Sequence, residues 1–232
     1  MDRRIFVTPA AIGLALALVS GAPPIASAQQ VFFEPNLPRA PHTNIKGDPD
    51  WSGFFRADAP WQRAASHIQV LSLGAAYVTD ASDDDLRTVA AGLAERRIDI
   101  DIPLQPVAVE RDEPCGKTEG YDEPAHVASV AEKLKRLGMT PRIISLDGPL
   151  WFGHYDTGPK ACRFSIEEGA QRAARSARFF LAEFPDLLID DIEGSVLTMQ
   201  PNWRADYRAF KAAFEAVILP NPPPPRTGVA KV

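Results

Sequence analysis

Apolar positions along the chain follow two alternating periods. From His67, "HIQVLSLGAAYV" reads as a strand followed by a loop. "SDDDLRTVAAGLAERR" then changes to a helical period, with Leu86, Val89, Ala90 and Leu93 on one face and Ser82 and Asp85 placed as a capping box. "IDIDIPLQPVAV" predicts the next strand. "EPAHVASVAEKLKRLG" predicts a helix with Pro124 in its first turn and Gly138 at its end. "PRIISLD" is the third strand. "SIEEGAQRAARSARFFLAEF" is the third helix, with Ser165 and Glu168 as a second capping box and Pro185 as its stop. "DLLIDDIEG" is the fourth strand, and "NWRADYRAFKAAFEAV" the fourth helix, with Tyr207, Phe210, Phe214 and Val217 on one face.

Four βα units in strict alternation predict an α/β fold with parallel strands and helices packed outside them. Loop lengths choose among such folds. Helix-to-strand connections are tight, as at Arg96-Arg97, Gly138-Met139-Thr140 and Pro185, whereas Val107 to Asp122 and Gly148 to Phe164 are long strand-to-helix loops. In a (β/α)-barrel those loops gather at the C-terminal mouth and build the site. After the first strand only Gly74 is present, so no GxGxxG dinucleotide turn exists, and no GxxxxGK[ST] occurs. The expected fold is therefore a partial, half TIM-type barrel of four βα repeats.

The flanks divide the chain further. Residues 1–28 read as a signal peptide: Arg3 and Arg4, an apolar run from Ala10 to Ala22, and a small-residue site at Ala26-Ser27-Ala28. Arg3-Arg4-Ile5-Phe6 leaves Sec and twin-arginine export both open. Residues 29–60 form an irregular arm, broken by Pro35, Pro38, Pro41, Pro49 and Pro60, whose Trp51, Phe54 and Phe55, with Trp61 just beyond, are expected to cover a core edge. Residues 61–219 hold the partial barrel. Residues 220–232, "PNPPPPRTGVAKV", read as a Pro-rich disordered tail that forms no further unit. Truncation or frameshift of a longer ancestor is the expected reason, with a homodimer that closes the half barrel as the alternative.

Composition narrows the function. With 232 residues, 45% hydrophobic and 24% charged, the chain is an ordinary folded protein. A net charge of -5 and a pI near 5.4, without a basic stripe, exclude a nucleic-acid binder. No span crosses a membrane once the signal is cleaved, and the destination is secreted or periplasmic. In that compartment Cys115 and Cys162, both in long loops, are expected to pair. Such a bond would close a loop of 162 − 115 = 47 positions, worth roughly 4 kcal/mol in the chain-entropy model; free thiols are the alternative. Neither CxxC nor HxxxH spacing occurs, so no metal site is expected. No cofactor is implied.

Candidate chemistry gathers at strand ends. Asp147 closes the third strand, and Trp151, Phe152, His154 and Tyr155 follow within a predicted loop. Their rings offer stacking surfaces to the C–H faces of sugars, or else plug the barrel end. On the fourth strand Asp191 and Glu193 point to one side and Asp190 to the other. Glycoside hydrolysis needs two carboxylates across the bond, and Asp147 with Asp191 or Glu193 supplies acids on adjacent strands about 4.8 Å apart. Helix capping or loop anchoring is the plainer use of each acid. The segment "CGKTEGYDEP" adds Glu119 and Tyr121 at a glycine-bounded tip. A metal-dependent phosphoesterase is disfavoured, because His67 lies at the wrong end of its strand and His126 lies on a helix.

"CGKTEGY", then "IISLDGPLWFGHY", then Ala161-Cys162, then "LLIDDIEG", in that order, resemble a group of secreted bacterial proteins described as TIM-barrel glycoside-hydrolase-like. The resemblance runs from about Trp51 to Trp203 and covers the N-terminal half of that family's barrel. It implies a polysaccharide or oligosaccharide partner at the barrel mouth. The family carries Asp-Glu-Pro-Leu where this chain has Asp147-Gly148-Pro149-Leu150, so Gly148 replaces one candidate acid. Two functions follow as expectations, beside a truncated, degraded gene product with none. The first is a glycoside-hydrolase-like protein with Glu193 as acid/base, Asp147 or Asp191 as its partner, and Glu119, Tyr121, Trp151, His154 and Tyr155 as substrate contacts. The second is a non-catalytic carbohydrate-binding or cell-surface protein.

Overall fold

The computed structural model describes residues 30–35, 54–55, 60 and 62–219. The expected signal peptide, most of the arm, Trp51, Trp61 and the Pro-rich tail lie outside the described residues.

Chain order is β1 (Phe32–Phe33), α1 (Gln62–Ala65), β2 (Val70–Ser72), α2 (Ala75–Asp80), α3 (Asp83–Arg96), β3 (Asp99–Leu104), β4 (Val107–Ala108), β5 (Tyr121–Asp122), α4 (Pro124–Arg136), β6 (Ile143–Asp147), a π-helical turn (Trp151–Tyr155), α5 (Ile166–Glu183), β7 (Leu188–Ile192), a 3-10 turn (Ser195–Met199) and α6 (Trp203–Ile218). The main sheet is parallel, with five strands in the order β1-β2-β3-β6-β7. Four of them, β2, β3, β6 and β7, lie side by side in sequence order, each followed by helix. A doubly wound sheet reverses its order at a switch point; this one does not. The winding is that of a (β/α)-barrel, of which these four units form part.

Local chemistry explains the elements. Ser82 and Ser165 cap α3 and α5 as expected, each Oγ accepting a backbone N–H three residues on, from Asp85 and Glu168, both at 3.1 Å. Gly138 follows α4 in the left-handed region at φ 70°. Three expectations are corrected. The segment after the first strand is a helical turn, α2, rather than a loop. The arm expected to be irregular supplies β1, whose Phe32 and Phe33 pair with Val70 and Leu71. The long loop after β3 contains a two-stranded parallel ladder of β4 and β5, with Val107 opposite Tyr121.

The described chain divides into two compact units. The first takes the residues up to Pro103 with Glu132–Ser145 and Asp186–Asp190; the second takes Leu104–Ala131, Leu146–Pro185 and the residues from Asp191. In the first, Leu71, Ile100, Ile102 and Ile144 are buried in the strands and Leu86, Val89, Leu93 and Leu134 in the helices. Phe33 stacks on Phe54 at 5.3 Å, and Arg136 of α4 pairs with Asp83 of α3 at 2.5 Å. In the second, α5 packs against α6, β4 and the π-helical turn. Ala170, Ala173, Ala174 and Ala177 of α5 and Phe210 and Phe214 of α6 are buried there. Alanine on the packed stripe of α5 lets its neighbours approach closely.

Candidate functional site

The ring-bearing segment after β6 is not a loop. Gly148 sits at φ +61, a conformation that residues with a Cβ rarely adopt, and it turns the chain directly out of the strand. Its N–H donates to the Ile192 carbonyl at 2.8 Å. One π-helical turn follows, closed by the Asp156 N–H on the Trp151 carbonyl at 2.9 Å. The first N–H groups of such a turn lack intrahelical partners. Glu193 supplies them from the end of β7: Oε1 accepts from Leu150 N at 2.6 Å and Oε2 from Trp151 N at 3.3 Å. Glu193 is therefore the anchor of the turn.

The register fixes where each acid points. In a parallel ladder the Gly148-to-Ile192 bond sets Asp147 beside Ile192 on one face of the sheet. Alternation then sends Asp191 and Glu193 to the opposite face. Asp147 and Asp191 therefore leave their strands on different faces, and Glu193, one residue past β7, continues the side of Asp191. Burial is the largest influence on Glu193 and, with the charge of Asp191, lifts its carboxyl to about 8; the Leu150 and Trp151 N–H groups oppose this, and the smallest upward push comes from Asp147. Burial also raises Asp147 above the ordinary carboxylate range.

Asp191 and Glu193 share a cleft. It has a volume of 190 Å³ and is lined by these acids with Ser195, Thr198, Trp203 and Tyr207, among others. Trp203 and Tyr207 stand four residues apart on α6 and so present one face. Neither was singled out from the sequence as a contact, because Tyr207 fits the apolar stripe of its helix. The legible signal was a pair of aromatic rings at helical spacing directly after an acid-tipped strand.

The expected substrate contacts are differently employed. Tyr121 is buried, 4% exposed, in a small core with Val107 and Val109. Its hydroxyl donates to the Phe152 carbonyl and accepts from Cys162 N at 3.1 Å. Phe152 in turn lies against Gly120, where φ is +86 and an added Cβ would fall 2.1 Å from the ring. Tyr155 donates its hydroxyl to Asp206; burial and that carboxylate push the phenol up to about 12. Nδ1 of His154 donates to the Phe164 carbonyl at 2.8 Å. Trp151 is half-buried and lies near Tyr155, ring centroids 6.3 Å apart. Glu119 is exposed on its loop.

A disulfide joins Cys115 to Cys162, with Cα atoms 5.0 Å apart. Beside it, Arg172 of α5 pairs with Glu113 at 2.8 Å and Glu168 at 3.0 Å while its guanidinium lies 4.0 Å from the Phe164 ring centroid. Disulfide, ion pairs and tyrosine hold the two long loops as one braced block.

The first unit contains a feature that the sequence reading did not identify. Asp101, in the middle of β3, is only 2% exposed. Its carboxylate accepts from Ser72 Oγ of β2 at 2.7 Å and Ser145 Oγ of β6 at 2.9 Å. Burial outweighs both bonds and, with the charges of Asp190 and Glu34, raises it to about 6.

Among the described residues no cluster of three or more His, Cys, Asp or Glu is placed to hold a metal. No described helix is long and apolar enough to cross a membrane. No protein-family model matches the chain, and no curated protein matches it. Among solved structures it is similar to a D-psicose 3-epimerase crystallised in the presence of D-fructose, at 14% identity over 68% of this chain and 55% of that one, with a TM-score of 0.41. It is also similar to an inactive double mutant of MUTB, at 8% identity over 81% of this chain and 55% of that one, with a TM-score of 0.37. The carboxyl transferase domain of Rhizobium etli pyruvate carboxylase follows, at 12% identity over 74% of this chain and 32% of that one, TM-score 0.29. The chain spans 55% of the length of the first two. Likeness at these values says nothing of function, and the barrel-type winding stands on the strand order alone.

Proposed function

We propose that this protein binds a saccharide and does not cleave it, using the cleft beside α6, and that it works outside the cytoplasm. One observation carries the reading. Asp191 and Glu193 share a cleft with the Trp203 and Tyr207 rings, but both Glu193 carboxyl oxygens are held by the Leu150 and Trp151 N–H groups, and Asp147 leaves β6 on the other face, so neither acid pair is free for hydrolysis. Carboxylates that accept hydroxyls beside ring faces that take C–H surfaces suit sugar recognition. Glu193 already holds two backbone N–H groups, a positioning role that fits a binding site. The Cys115–Cys162 bond supports an oxidising compartment.

An oligosaccharide array probed with the full chain tests this. Binding to at least one saccharide, weakened about ten-fold by Trp203→Ala, with no release of reducing ends, is the expected result. Reducing-end release that Glu193→Gln abolishes would establish a hydrolase instead.

A further inference from the structure

The saccharide reading leaves the ligand class open, and the cleft's charge narrows it. Its lining includes the acids Asp191 and Glu193 and the hydroxyls of Ser195 and Thr198, and no lysine, arginine or histidine. Arg204 lies outside that lining and stacks on Trp203, its guanidinium 4.5 Å from the ring centroid, so one face of the ring is already covered. Resting on that reading, we propose that the cleft selects saccharides with a free amino group, an N-deacetylated amino-sugar unit, over their N-acetylated, neutral or acidic counterparts.

An ammonium offers three donors and a full charge to two carboxylates that stand on one face of one strand end. Ring hydroxyls of the same sugar can bond to Ser195 and Thr198, and its C–H face can lie on an aromatic ring. An N-acetyl group offers one neutral N–H and a methyl, so the Asp191 carboxylate would be desolvated without a counter-charge and Glu193 would gain no ionic partner. A uronic acid would meet like charge. A volume of 190 Å³ lies below the range of drug-sized pockets, which suits one sugar unit rather than a buried chain.

The surroundings of Glu193 add a second readout. Asp191 and, least of all, the more distant Asp147 of β6 act on it with negative charge, and Leu150 and Trp151 face it with N–H donors. At neutral pH its carboxyl is mostly protonated. A cation placed in the cleft favours the ionised form, so binding releases a proton.

Calorimetric titration of the full chain with a glucosamine tetramer, the matching N-acetylglucosamine tetramer and a uronic-acid tetramer tests the inference. Each is run at pH 7 in two buffers of different ionisation enthalpy. The expected result is that the glucosamine tetramer binds about ten-fold or more tighter than the N-acetylated one, the scale of one charge-assisted bond. Its amines, only partly protonated at pH 7, take up protons on binding, so the proton from Glu193 is read as the difference from Glu193→Gln, which should show more net uptake than the unmodified chain; Asp191→Asn should erase most of the preference. Equal or tighter binding of the N-acetylated tetramer would overturn the inference and leave the saccharide reading standing. Failure of every saccharide on the array and every tetramer would overturn both. The comparison among ligands uses the unmodified chain, so it survives a variant that does not fold.

Discussion

Replacing Asp101 by asparagine should stabilise the protein at neutral and alkaline pH and do little in acid. The carboxyl is 2% exposed and its value rises from 3.8 to about 6 on folding, with burial as the main cause. At roughly 1.4 kcal/mol per pH unit, that gap amounts to about 3 kcal/mol. The direction follows from the higher value in the folded state. Below 3.8 the group is protonated whether folded or not, and its contribution to stability is fully present. As pH rises through about 6 the buried carboxyl must ionise, and that contribution is lost. Asparagine keeps the shape and cannot ionise, and the hydroxyls of Ser72 and Ser145 can rotate to donate or accept. Urea unfolding of both proteins between pH 4 and pH 8, disulfide intact, provides the measurement. The difference should be small at pH 4 and approach about 3 kcal/mol in favour of Asp101→Asn by pH 8. A difference that stays constant across the range would mean that Asp101 does not titrate in the folded protein. Glu193 also carries a raised value, and it remains in both proteins, so its contribution cancels.

Three further outcomes are expected. Removing the disulfide with Cys115→Ala and Cys162→Ala together should cost roughly 4 kcal/mol, read as a lower urea midpoint that reducing agent no longer changes. Gly120→Ala combines a left-handed backbone with a Cβ 2.1 Å from the Phe152 ring; a loss of at least about 2 kcal/mol is expected in thermal or urea unfolding. Tyr155→Phe removes the hydroxyl that donates to Asp206, and about 1 kcal/mol should be lost in urea unfolding, a charge-assisted bond discounted for partial exposure.

What could be read in the sequence was what local chemistry dictates. Ser82 and Ser165 announce their helices because a side-chain oxygen three residues before a backbone N–H suffices for a cap. The parallel alternation followed from apolar period and loop length, both short-range. The remainder depended on distant pairing. Phe32 and Phe33 are a strand only because Val70 and Leu71 lie beside them. Tyr121 looked like a loop-tip contact until its pairing with Val107 turned the ring into a core. Asp101 alternates with Ile100 and Ile102 just as the exposed Asp99 does, so its burial cannot be read locally, and its serines are 29 and 44 residues away. Asp147 and Asp191 stand at the ends of β6 and β7 and Glu193 just past β7, as the apolar runs indicate, but their faces depend on register, which one strand cannot reveal about its neighbour. Trp203 and Tyr207 were hidden by a helix whose apolar stripe accounted for Tyr207 without a ligand.

Because neighbouring side chains on a strand take opposite sides, the pairing of Asp147 with Ile192 decides the fate of three carboxylates at once. Deleting a single residue ahead of Asp190, with the hydrogen-bond ladder re-formed one step along, would turn β7 over. Asp191 and Glu193 would then emerge beside Asp147, and Asp190 would face α6. A change of three nucleotides therefore separates a sheet that keeps these acids on opposite faces from one that gathers them on the same side.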